Sequence, residues 1–183
     1  MIFLEKIHTD DERYTFVESL LTSAFPEAER RDTSAQRYMT DNNPIFYCFL
    51  IKTETEQLGF ITAWDFDRFC YIEHFAIDER FRNLGYGRDA IRTLMRIVGR
   101  PFVLEVELPE NEISRHRISF YQRQGFNLWD TCDYIQPPYR EGGETLRMHI
   151  MASEDLDPDI YFDIVKRRLY KDVYQTDEFA TFS

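Results

Sequence analysis

Residues 69–107 read as strand, glycine loop, helix and strand, and this order limits the fold more than any other feature of the chain. The apolar run 69–77 leads into a loop with Gly85 and Gly87. Ala90, Ile91, Leu94, Met95 and Val98 then recur at helical spacing until Gly99 and Pro101 stop them, and 102–107 returns to strand. Two strands joined through a helix pair in parallel, with a right-handed crossover. Upstream, the β-rich runs 45–52, 57–65 and 69–77 are separated by short polar links and predict an antiparallel meander. The crossover therefore sits inside an otherwise antiparallel sheet.

Around this centre, 2–7 reads as a strand. Thr9, Asp10 and Asp11 start a helix carrying Phe16, Val17, Leu20 and Leu21, and Thr33 or Ser34 caps a second helix through about Met39. Residues 111–124 predict a further helix stopped by Gly125. Phe126 opens a strand, 145–151 is the final strand, and 157 to about 174 is an appended helix. The expected order is β-α-α-β-β-β-α-β-α-β-β-α. The fold class is α/β: a mixed, mostly antiparallel sheet with one parallel β-α-β crossover flanked by helices, plus a C-terminal helix. Residues 1–152 are expected to form one domain and 153–183 a helical extension of it, with only the last few residues loose.

Charge narrows the partners. Lys and Arg total 22 against 33 Asp and Glu, a net charge of −11 that repels polyphosphate backbones and argues against nucleic acid. A cationic acceptor suits that field, although acidity also simply keeps a protein soluble. Cys48, Cys70 and Cys132 have no metal-like spacing and read as reduced thiols, so no metal is expected. The N-terminus lacks a basic region followed by a long apolar segment, and the apolar run 45–51 is too short to span a bilayer. A cytoplasmic protein with no membrane partner is the expectation.

The loop Arg82-Asn83-Leu84-Gly85-Tyr86-Gly87-Arg88 is the first feature with chemistry in it. Glycines let backbone N–H groups approach a phosphate, a helix N-terminus adds partial positive charge, and Arg82 and Arg88 add full charges. A pyrophosphate is the expected guest; a ligand-free turn is the alternative. The loop lacks the Lys-Ser/Thr ending of a P-loop and the third glycine of a dinucleotide fingerprint, which disfavours a nucleotide-binding module. A second feature follows in Ser114-Arg115-His116-Arg117-Ile118-Ser119-Phe120-Tyr121-Gln122-Arg123-Gln124-Gly125-Phe126.

In these two motifs, and in their order, the sequence resembles the GNAT superfamily of acetyltransferases, from Ile2 to about Met151. The resemblance implies a sheet whose two central parallel strands splay apart, with acetyl-coenzyme A in the cleft as cosubstrate. It places Phe75, Ala76 and Ile77 along the pantetheine and Arg82, Asn83, Leu84, Gly85, Tyr86, Gly87 and Arg88 at the pyrophosphate. Ser114, Arg117 and Phe120 line the other wall. Ser114 and Arg117 depart from the usual Asn and small residue: Ser114 can still bond the cofactor, while Arg117 either reaches a phosphate or points away.

Tyr121 resembles the family tyrosine that protonates the departing thiolate, with packing on the sheet as the other reading. Glu73 is the first candidate base, a carboxylate of raised pKa that takes the proton of an ammonium acceptor, and His74 is the second. Strand alternation puts the two on opposite faces. The resemblance further implies that the acceptor, a small-molecule or peptide amine, binds between the loop after the first helix, with Phe25, Glu27 and Arg30, and the late strands, with Tyr134 and Tyr139; ordinary surface loops with a few anchoring aromatics are the alternative. The resulting expectation is an N-acetyltransferase working by direct attack in a ternary complex, as monomer or homodimer. A non-catalytic acyl-coenzyme A sensor is the alternative.

Overall fold

Strands β1 (Phe3–Lys6), β2 (Phe46–Lys52), β3 (Gln57–Asp65) and β4 (Cys70–Ile77) pair antiparallel in that order, and β5 (Phe102–Glu107) joins β4 in parallel. The computed structural model describes residues 1–153 and 156–176. The loose end expected at the last few residues lies outside them. The chain divides into two compact units, Met1–Leu104 and Glu105–Ser183.

In the first unit, cross-strand partners share a face. Leu50 stands opposite Phe60 and Cys48 opposite Thr62, while Phe60 in turn meets Ala76. This face is covered by helix α1 (Tyr14–Ala24), whose Tyr14, Val17, Leu20 and Leu21 recur at helical spacing and pack with Ile7, Cys48, Leu50, Phe60 and Ala76 into one buried cluster. Helix α2 (Thr33–Asn42) packs beside β2. Its cap is Asp32, whose carboxylate accepts the Ala35 N–H, rather than Thr33 or Ser34, and it runs past Met39 to Asn42. Helix α3 (Tyr86–Val98) buries Ala90, Ile91 and Leu94 and ends at Gly99 in the left-handed region, as a helix stop should.

Gly59 marks the closest approach of β3 to β4. A Cβ there would run into the carbonyl oxygen of Ala76. Gly59→Ala should force the two strands apart and lower stability by about 2 kcal/mol, a typical overpacking cost, measured as a lower urea midpoint at unchanged m-value.

In the second unit, helix α4 (Glu112–Gln122) precedes β6 (Phe126–Gln136) and β7 (Leu146–Ser153), which pair antiparallel. Residues 130–133 stand opposite His149 alone, a wide irregularity between Trp129 and Tyr134 that the alternation of the sequence does not announce. Helix α5 (Pro158–Arg168) is capped by Asp157, starts on proline and continues as a single π turn, Leu169–Val173. Val165, Leu169, Tyr170 and Val173 are its buried side. The element order, the meander and the parallel crossover agree with the sequence reading. Among the described residues, no helix is long and apolar enough to cross a membrane.

Candidate active site

The loop between β4 and α3 has the shape of an anion cradle. Asn83 and Gly85 both adopt left-handed backbone conformations, at φ 62° and 85°. Gly85 is the residue from which α3 departs, so the N–H groups at the start of α3, Tyr86 and Gly87 among them, open toward the loop. The Arg88 guanidinium lies over the bare Cα of Gly85: a Cβ there would stand 3.2 Å from Arg88 Nη2. Arg88 also bonds Asp89, and Arg82 donates through Nε to the Ile77 carbonyl, which ties the loop to the end of β4. Leu84 is exposed at the loop's tip. Backbone donors, a helix start and the Arg88 guanidinium beside an unfilled Cβ position, with Arg82 on the same loop, are a donor set that fits a pyrophosphate. Along β4, Phe75, Ala76 and Ile77 pair with Ile61, Phe60 and Gly59.

Upstream on the same strand the pairing slips. Thr62 faces His74 and Ala63 faces Ile72, so Glu73 is an extra residue in β4. The expectation that alternation separates Glu73 from His74 fails here, because a bulge turns two successive side chains toward one side. Both point to the face carrying Phe60, Thr62 and Trp64, and His74 Nδ1 stands 3.9 Å from Glu73 Oε2.

The side chain of Glu73 is fully buried. Its Oε1 accepts from Arg31 Nη1 at 2.6 Å and its Oε2 from Trp64 Nε1 at 3.1 Å. Burial raises its pKa, but the charge of Arg31 and these hydrogen bonds outweigh burial and leave it below the ordinary carboxylate value. This is opposite to the raised pKa expected of a base. His74 Nε2 lies 2.9 Å from the Glu29 carbonyl, which can only accept, so Nε2 carries the proton and Nδ1 faces the Thr62 hydroxyl at 3.3 Å. Burial lowers the pKa of His74, against the pull of Glu73, and keeps the ring neutral at pH 7.

On α4, Tyr121 is 8% exposed and packs edge-on against Phe120 and Phe126, with ring centroids 5.1 and 5.6 Å away. Burial pushes its hydroxyl up to about 12, so it is a protonated donor at every physiological pH. Ser114 is engaged in starting the helix: its Oγ accepts from the Asn111 N–H and donates to the Asn111 carbonyl, while Asn111 accepts the Ser114 N–H. Arg117 pairs with Glu107. Both residues therefore have partners inside the second unit.

The chain matches the acetyltransferase (GNAT) family over residues 8–126. A solved GNAT-family protein from Bacteroides thetaiotaomicron is 41% identical, with TM-score 0.92, over 96% of this chain and 99% of its own. The chain belongs to the GNAT acetyltransferase family. At 19% identity and TM-score 0.59, the ribosomal-protein-S18-alanine N-acetyltransferase of Escherichia coli shares the fold over 86% of this chain and 99% of its own. A GNAT acetyltransferase from Elizabethkingia anophelis, solved with acetyl-coenzyme A bound, does so at 18% identity and TM-score 0.55, over 84% of this chain and 97% of its own. None of the curated proteins matches the chain.

The GNAT chain holds one further polar cluster that the sequence reading passed over. Glu105 of β5 accepts hydrogen bonds from the Tyr134 hydroxyl, from Gln136 Nε2 at 2.8 Å and from the Tyr174 hydroxyl at 2.6 Å. Tyr134, expected to touch the acceptor, is fully buried, and burial beside Glu105 raises its pKa well above the ordinary value. Tyr139 stacks at a tilt on Tyr174, centroids 4.9 Å apart. The only signal for this cluster in the sequence was a Glu between Leu104 and Val106 in an apolar strand. In the first unit, Phe25 packs edge-on against His74 at 4.7 Å, Glu27 opens the 3₁₀ turn Glu27–Glu29, and Arg30 Nε donates to the Phe25 carbonyl at 3.1 Å. Among the described residues, no group of three or more His, Cys, Asp or Glu side chains is placed to hold a metal ion.

Proposed function

We propose that this GNAT protein is an N-acetyltransferase that moves the acetyl group of acetyl-coenzyme A to a small-molecule or peptide amine by direct attack in a ternary complex. The observation that carries the reading is the left-handed Asn83–Gly85 turn at the start of α3 with Arg88 folded over it. Bound acetyl-coenzyme A supplies an acetyl thioester, and its thiolate is the leaving group. Tyr121 donates its proton to that sulfur, a role for which a hydroxyl that burial pushes up to about 12 is already protonated. The net charge of −11 favours a cationic acceptor, whose amine must lose a proton before attack. Glu73 enters this reading as an ionised carboxylate held by Arg31, too weak a base in that pairing to take the amine proton, and the proton leaves to water.

Calorimetry with acetyl-coenzyme A should give a dissociation constant of roughly 1 μM to 1 mM, the range of enzyme substrates. A panel of polyamines, aminoglycosides, amino acids and peptides should then release free coenzyme A with at least one acceptor. Absence of heat and of a thermal shift at millimolar ligand refutes the reading. Binding without turnover on any amine supports the acyl-coenzyme A sensor instead.

A further inference from the structure

Arg31 belongs to no motif, yet its side chain is only 6% exposed although it sits on a connection between two helices. Arginines are almost never buried unless paired. Here the pairing reaches across 42 residues to Glu73, with Gln36 Oε1 at 3.4 Å and the Trp64 ring 5.5 Å below the guanidinium. Two residues earlier on the connection, the Glu29 carbonyl accepts from His74 Nε2. At its start, Phe25 lies edge-on against the same imidazole, and Arg30 closes the segment by bonding the Phe25 carbonyl. Segment 25–31 is therefore gripped at both ends by two successive residues of β4, an arrangement that strict alternation forbids and the bulge permits.

We infer that Arg31 and Glu73 are positioning residues: their buried pair locks segment 25–31 in one conformation, so that the acceptor amine meets a preformed surface. The inference rests on the N-acetyltransferase reading, in which this segment borders the acceptor. Connections between helices are ordinarily mobile, and a segment that is competent only part of the time weakens apparent affinity by that fraction. Among the groups facing the pair are Trp64, Gln36 and His74, with Thr62 on the imidazole and Arg30 beyond.

The test uses the full chain and the acceptor found by the amine panel. Removing one partner alone leaves a buried charge unpaired and threatens the fold, whereas Arg31→Met combined with Glu73→Gln removes both charges at nearly constant shape and is expected to fold. In the double variant, amide hydrogen exchange across 27–31 should quicken roughly 10-fold or more in the free protein. The acceptor KM should rise at every pH from 6 to 9 by the inverse of the fraction of time the segment stays closed, with the loss falling on KM rather than kcat and acetyl-coenzyme A affinity within about twofold of the parent. Arg31→Lys, which keeps the charge and loses the planar fork, should recover part of the effect. Unchanged exchange or an unchanged acceptor KM overturns the inference. So does a loss in kcat that shrinks as pH rises, which would mark Glu73 as a proton acceptor. Failure of the unmodified protein to bind acetyl-coenzyme A would sink the underlying reading, a result distinct from all of these.

Discussion

Tyr121→Phe should bind acetyl-coenzyme A as tightly as the parent and turn over about 10²-fold more slowly or worse, the usual consequence of losing a general acid. The ring stays in its slot between Phe120 and Phe126, so the packing survives. Only the hydroxyl goes, and burial holds that hydroxyl protonated up to about pH 12. A group whose pKa is raised this far keeps its proton as pH rises through the working range. The parent should therefore show no fall in rate from ionisation of Tyr121 below about pH 10, two pH units under that value. Calorimetry and single-turnover rates on one preparation separate binding from chemistry. A Phe variant as fast as the parent would assign Tyr121 to packing alone.

Gly85→Val is expected to cost acetyl-coenzyme A affinity by about 10²-fold or more while circular dichroism stays that of a folded protein. Gly85 sits at φ 85°, where a residue with a Cβ is strained by roughly 1–2 kcal/mol and a β-branched one by more. Its new side chain would also fill the cradle and push away the Arg88 guanidinium, now 3.2 Å from where the Cβ would be. Both effects fall on the loop and neither on the buried clusters, so binding should fail before stability does. Full affinity in this variant would place the phosphate site elsewhere in the chain.

The two features behind these predictions were legible in the sequence for different reasons. Gly85 and Gly87 follow a strand and open a helix, and that context gives a glycine pair a chemical meaning. Tyr121 was legible by resemblance, since an aromatic at that helix position is equally a packing residue. The pairing of Ser114 with Asn111 is written locally, as a capping residue and its partner three apart. Arg117 read as a possible phosphate ligand; its partner is Glu107, on the preceding strand.

What the sequence by itself determined is everything carried by short-range periodicity and turn chemistry: the order of the elements, the antiparallel meander, the parallel crossover, the glycine loop and the helix stop at Gly99, whereas α4 ends at Gln122, short of the expected stop at Gly125. Those features follow from residues within a few positions of each other, where spacing alone fixes which face a side chain takes. Only the tertiary structure decided that β4 carries an extra residue at Glu73, that Glu73 meets Arg31 and His74 meets Glu29, and that Glu105 gathers Tyr134, Gln136 and Tyr174. A single added residue leaves no mark in the alternation of an apolar strand, and it reverses every inference about faces beyond it. The partner of a buried charge depends on which distant segment the chain brings alongside. That is why Glu73 read in isolation as a free base and stands in the folded chain as half of an ion pair.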